Sequence, residues 1–142
     1  MADHQEATIT LPSVSASVPG ARRYVMDVLG EWGLAAGTEA ADAVRLIVSE
    51  LVTNAVQHTR GQSPTFTVDV RLDRDEHLRI GVTDSHPCHP RRLPVAVQQD
   101  HGRGLVIIRC LTVERGGRLS VVPTADGGKT VWIRLPWTLP AG

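Results

Sequence analysis

Two periodicities divide the chain. The clearest helical stretch is TEAADAVRLIVSELVTNAVQHT, residues 38–59, where Val44, Ile47, Val48, Leu51 and Ala55 recur on one face. Thr38 is placed to cap it, and Glu39 and Asp42 suit the positive end of the helix dipole. An earlier helix is predicted over 17–34, with Ser17 as cap, Pro19 in the first turn, Gly33 as stop, and Val25, Val28, Leu29 and Trp32 on one face. Residues 102–114 return to a helical pattern. Alternation marks the strands. Phe66, Val68, Val70 and Leu72 share one face of 65–72, and Leu78, Ile80 and Val82 share one face of 77–84. Residues 7–14 are β-prone but hold Pro12, which fits an edge strand. Residues 118–137 read as a second hairpin turning at ADGG. The order β-α-α-β-β-loop-α-β-β predicts an α+β two-layer sandwich: a mostly antiparallel, mixed sheet with helices on one face. The whole chain, 1–142, reads as one domain with residues 1–6 frayed.

Composition narrows the functional classes. Fifteen basic residues balance fifteen acidic ones, and only one Phe and one Tyr are present, so neither bulk charge nor aromatic stacking points to nucleic acid. No helix carries a clustered basic face, and Arg91-Arg92 is a short charge patch that either is solvated or reaches phosphates or an acidic partner. No apolar run approaches the roughly 18 residues of a membrane span, and the N-terminus lacks signal-peptide character. Cys88 and Cys110 sit in unlike contexts and read as reduced thiols of a cytoplasmic protein.

Several residues depart from a plain amphipathic pattern. Glu50 and Asn54 are four apart, at the margin of the apolar stripe, where a carboxylate and an amide either face a cleft or form a solvated rim. Gln57 shares their side, and His58 lies nearer the stripe. Asp84 continues the parity of Leu78, Ile80 and Val82, so in a regular strand it faces the core and needs donors; as Asp-Ser past a strand end it is turn chemistry. Gly102 and Gly104 open a helix, which suits phosphate binding and equally suits a tight connection. In VTDSHPCHPRRLP, His86, Cys88 and His89, with His101 further on, offer zinc-type donors, though their spacing matches no usual zinc motif.

Taken in chain order, these features resemble a known superfamily. SELVTNAVQH resembles the N box of the GHKL ATPases, VTD the start of their first glycine box, GRGL their second, and GGKTVWIRL their closing strand. Within GHKL, the short chain and its spacing are similar to bacterial anti-sigma-factor serine/threonine kinases of the actinobacterial type, over about residues 7–136. The resemblance implies a Bergerat ATP-binding fold with ATP and Mg²⁺ as cofactors. Asn54 would ligate Mg²⁺, an oxygen-seeking cation. Glu50 would be the general base, Asp84 would accept from the adenine amino group, and Thr130 would hydrogen-bond near Asp84 and the base. Gly102, Arg103, Gly104 and Leu105 would cradle phosphates, and residues 85–101 would form the lid. The implied partners are a sigma factor and an anti-anti-sigma protein carrying the target serine, with neither nucleic acid nor membrane.

One box departs from the pattern. Where the family reads D-x-G-x-G, this chain reads Asp84-Ser85-His86-Pro87-Cys88, with both glycines gone. Glycine permits close backbone approach and lid movement; proline restricts both. Three readings therefore stand: a kinase that sequesters a sigma factor, a non-catalytic GHKL-fold regulator with weakened or absent turnover, and a metal protein built on the histidine-cysteine cluster. The resemblance implies a homodimer. Val131, Ile133 and Leu135 are apolar and so is Trp132 between them, as in a strand buried on both faces, whether by a second copy or by the C-terminal segment folding over the outer face.

Overall fold

The computed structural model describes residues 4–58, 64–73, 77–84, 106–125 and 128–137. Its elements run β1 (His4–Pro12), α1 (Ser17–Glu31), α2 (Glu39–His58), β2 (Thr65–Asp73), β3 (His77–Asp84), α3 (106–114), β4 (Arg118–Pro123) and β5 (Lys129–Pro136). The strands form one sheet in the order β1-β2-β3-β5-β4, and all four pairings are antiparallel. The predicted α+β sandwich is thus the observed one, and the sheet shows no parallel pair among the described strands.

Alternation sorts the two faces of this sheet. Phe66, Val68, Val70 and Leu72 of β2, Leu78, Ile80 and Val82 of β3, and Val131, Ile133 and Leu135 of β5 are all buried. They form one core with Ala21, Val25 and Leu29 of α1 and the stripe of α2. That stripe is wider than predicted, since Val52 and Val56 are buried too. The extra width follows from position, because α2 packs against both α1 and β3. From α3, Ile108 and Thr112 join the interior, and the Thr112 hydroxyl is satisfied by donating to the Ile108 carbonyl at 2.7 Å.

Helix ends follow local chemistry. Thr38 caps α2, its Oγ1 accepting the Ala41 N–H at 3.1 Å. After α1, Gly33 takes φ +112°, and the N–H groups of Gly33 and Leu34 reach back to the carbonyls of Gly30 and Leu29. The same motif closes α3, with Gly116 at φ +79° and the Gly117 N–H on the Thr112 carbonyl at 2.8 Å. A Cβ on Gly117 would lie 2.1 Å from the Arg134 carbonyl oxygen, so α3 is held against β5 at its C-terminal end by a contact only glycine permits.

Two expectations are corrected. Ser17 does not cap α1: it lies inside the helix, the residue before it is Ala16, and no side chain caps the end. Residues 4–6 are not frayed. They pair with Arg71, Leu72 and Asp73 of β2, and the His4 ring bonds Asp73 at 2.7 Å and Glu6 at 2.8 Å. These carboxylates raise the His4 pKa, Asp73 contributing most, while His4 in turn lowers both acids. Pro12 is the last residue of β1, an edge strand as predicted, where its missing N–H costs no ladder bond. Tyr24 of α1 covers part of that edge, donating to the Thr8 carbonyl at 3.2 Å.

Thr38→Ala is expected to lower stability by about 1 kcal/mol, read as a shift in urea midpoint at unchanged slope. The β1 anchor should depend on pH at both ends. A raised histidine pKa stabilises below the ordinary value of 6.5 and ceases to do so above the folded one; the lowered carboxylates act in the opposite sense at the acid end. Amide protection of β1 should therefore weaken as pH rises through the folded His4 pKa, and His4→Ala should remove that dependence in hydrogen exchange.

Candidate functional site

Asp84 closes β3 and keeps the parity of Leu78, Ile80 and Val82, leaving it 3% exposed on the core face. The turn reading of this residue is therefore set aside in favour of the buried one. Its register partner is Lys129 at the start of β5, whose backbone N–H donates to Asp84 Oδ1 at 3.2 Å. Gly128 makes this approach possible. A Cβ there would fall 2.4 Å from the Asp84 carbonyl oxygen and 2.9 Å from Oδ1. The Gly128 carbonyl also accepts the Thr124 N–H at 3.0 Å, closing the hairpin beside the aspartate. A carboxylate's two oxygens offer about four lone-pair directions, so the bond from Lys129 does not by itself fill the acceptor capacity of Asp84.

Thr130 is one residue along β5 from the partner of Asp84. It lies opposite Thr83, and their hydroxyls meet at 2.7 Å on the face turned away from the helices. Strand parity makes Lys129, not Thr130, the neighbour of Asp84 on the core face. Burial pushes the Lys129 ammonium below the ordinary lysine value, and the Asp84 charge acts against that shift. Gly128 and Lys129 are the residues that sequence reasoning missed. Their signal was available in the parity of β5, counted back from Val131.

Trp132 is likewise satisfied inside the chain. Its ring occupies the space over Gly81, where a Cβ would come within 2.6 Å, and the Arg71 guanidinium lies 5.0 Å from its centroid. The apolar residue on the second face of β5 is thus packed on Gly81 and flanked by Arg71, and it stays half-buried.

Three observations bring Glu50 and Asn54 toward the Asp84 end. Thr38, Ala40 and Val44 line a hollow of about 350 Å³ with Leu78 and Leu135, so α2 begins at the far end of the sheet. Ten residues of helix, about 15 Å, then carry the chain from Val44 to Asn54, while six residues of strand, about 20 Å, lead from Leu78 to Asp84. Thr53, Val56 and Gln57 share another hollow with Ser15, Val18 and Pro19, just past the end of β1, whose Leu11 pairs with Phe66, itself the partner of Asp84. Glu50 is half-buried and Asn54 is 7% exposed, which supports the cleft reading over a solvated rim.

The end of α3 points the same way. Arg115 lines the hollow at the Leu78 end, and Gly117 touches Leu135. The described part of α3, from residue 106, therefore has its N-terminal side toward the Asp84 end. Gly102, Arg103, Gly104 and Leu105, which immediately precede it, lie outside the described residues, as do residues 85–101 and the side chain of His58. His86, Cys88, His89 and His101 fall in the same stretch; among the described residues no three His, Cys, Asp or Glu side chains are grouped to hold a metal.

A buried strand-end carboxylate on β3 and, on the facing helix, a carboxylate and an amide one turn apart are thus directed to one end of an α+β sandwich. The chain belongs to the histidine kinase-like ATPase domain family, whose model matches residues 11–135. This places it in the GHKL superfamily, with ATP as the cofactor class. Solved structures agree in fold. Full-length ShkA in complex with AMPPNP superposes with a TM-score of 0.58 at 20% identity, covering 94% of this chain and 32% of that one. The histidine kinase domain of the blue-light-activated kinase EL346 from Erythrobacter litoralis gives 0.53 at 21%, covering 84% and 60%. The chain thus spans about a third and three-fifths of these proteins. No curated protein matches it. Among the described residues no helix is long and apolar enough to cross a membrane.

The donor set fits ATP: a buried carboxylate with acceptor capacity suits an exocyclic amino group, and the amide oxygen of Asn54 suits a hard cation. Lys129 should titrate below the lysine value of 10.5. Asp84→Asn should lower it further, because the charge that raises it is removed. Between the folded pKa and 10.5 the unfolded chain binds the extra proton, so stability should rise with pH there. Carbon-13 titration of labelled lysine in both proteins checks the direction.

Proposed function

We propose that this domain is an ATP-dependent serine/threonine protein kinase of the anti-sigma-factor type. It phosphorylates a serine of an anti-anti-sigma protein and sequesters a sigma factor in the cytoplasm. The observation that carries the proposal is the burial of Asp84 on the core face, at the end of the sheet toward which Glu50 and Asn54 are directed. Together with the family, it supports a nucleotide held with its base at Asp84 and its phosphates toward the start of α3.

In this mechanism Glu50 accepts the proton of the substrate serine hydroxyl as its oxygen attacks the γ-phosphorus. The bond from the γ-phosphorus to the bridging oxygen breaks and ADP leaves. Asn54 would hold Mg²⁺, which would supply charge neutralisation at the phosphates, and the resemblance assigns phosphate binding to Gly102, Arg103, Gly104 and Leu105. Phosphoryl transfer needs positioning and charge neutralisation above all, and this donor set offers both. The homodimer belongs to the proposal on the family resemblance.

A second reading is favoured by a specific feature. Asp84-Ser85-His86-Pro87-Cys88 lacks both glycines of the family box, and a lysine stands beside Asp84. A GHKL-fold regulator that binds partners without turning ATP over has no need of a mobile lid.

Calorimetry with ATP, with and without Mg²⁺, separates the two. The kinase should bind ATP in a Mg²⁺-dependent manner, and Asn54→Ala should remove that dependence. Glu50→Ala should retain binding and lose transfer by about 10²–10⁴-fold to an anti-anti-sigma protein. Undiminished transfer by Glu50→Ala would sink the mechanism, and absence of binding at millimolar ATP would leave the regulator.

A further inference from the structure

The face of the sheet turned away from the helices carries a row of four arginines. Arg71 on β2 stands opposite Arg79 on β3, Arg79 opposite Arg134 on β5, and Arg134 opposite Arg118 on β4. With strands about 4.8 Å apart, the row crosses about 14 Å of the sheet. Like charges directly opposite one another destabilise a sheet. With fifteen acidic residues for fifteen basic ones, the chain is not short of carboxylates to separate them.

The carboxylates of that face are instead gathered to one side, as Glu6 on β1 and Asp69 and Asp73 on β2. Glu6 reaches Arg71 at 3.8 Å and Asp73 reaches Arg79 at 3.3 Å. Among the described residues no carboxylate pairs with Arg118 or Arg134, and both are exposed. The Arg79 Nε is buried with no acceptor. The four arginines, with Ser120 and Trp132, line a hollow of about 420 Å³. Positive charge is thus concentrated and uncompensated toward β5 and β4.

We infer that this face docks an acidic helix of a partner protein, laid across the strands with its Asp and Glu side chains toward the arginine row. Side chains one helical turn apart recur every 5–6 Å or so, close to the strand spacing, so successive carboxylates meet successive guanidinium groups. Arginine suits such pairing because its planar fork binds carboxylate bidentately. A long polyanion such as nucleic acid fits less well, since beyond the row it meets Glu6, Asp69 and Asp73. The inference is independent of whether the ATP site turns over.

The test uses the full chain and a fluorescent alanine-based helical peptide with glutamates at i, i+4, i+7 and i+11. The peptide should bind at low salt and weaken as salt rises. The double substitution Arg118→Glu/Arg134→Glu should weaken it at least tenfold, and Arg23→Glu, the same kind of charge reversal on α1, should leave it unchanged. The double variant should melt no lower than the parent, because reversing position 134 makes its pairing with Arg79 attractive, while positions 118 and 134 stay alike in charge as before. Equal binding of a glutamine version of the peptide overturns the proposal, as does unchanged binding by the double variant. Tighter binding of an oligothymidylate of equal charge assigns the face to nucleic acid instead. Self-association of the chain that the double variant abolishes assigns it to a second copy. A lower melting temperature in the double variant makes the row structural.

Discussion

The register of β3 against β5 is the constraint on which the other features rest. Because side chains alternate, pairing Val82 with Val131 and Ile80 with Ile133 turns both apolar sets toward the helices together. A slip of one residue in β5 would send Thr130, Trp132 and Arg134 into the core and Val131, Ile133 and Leu135 into solvent. Gly81 and Trp132 pin this register from the other side, since the indole occupies the space a side chain at Gly81 would need. The same register sets Lys129 against Asp84 and Arg134 against Arg79. One pairing therefore fixes the core, the carboxylate of the candidate site and the charged outer surface.

The helices transmit that order to the site. Thr38 fixes where α2 starts, and the buried stripe fixes its rotation, so Asn54 is buried one turn beyond the half-buried Glu50. At the other helix, the glycine turn after α3 holds its C-terminal end against β5. Its start is thereby directed to the opposite end of the sheet, where Asp84 lies. The candidate site is assembled from elements anchored at their far ends, an economical way to position polar groups without burying loop backbone.

The strand end itself departs from a generic GHKL site. Close approach of the hairpin to Asp84 depends on Gly128, and the lysine next to it carries a charge that burial disfavours and Asp84 favours. A carboxylate so placed is held in one orientation by a backbone donor and sits beside a cation. These contacts fix the strand end, and just after it the chain has histidine, proline and cysteine where the resembled box has glycines.

The sequence by itself determined the element order, the buried face of each strand and the Thr38 cap, because these follow from period, parity and local hydrogen bonding. It also marked Glu50, Asn54 and Asp84, whose spacing and parity depart from a plain amphipathic pattern. Tertiary structure decided the rest. Residues 4–6 look like a polar tail, yet pairing with β2 and the His4 contacts order them. Thr130 resembles a site threonine in the linear motif, but its face is set by partners elsewhere in the chain. Trp132 is a lone apolar residue on the outer face in the sequence, and only the fold shows it seated on Gly81 beside Arg71, both distant in sequence. The arginine row is invisible along the chain because its members come from four strands, and only cross-strand register brings them into line.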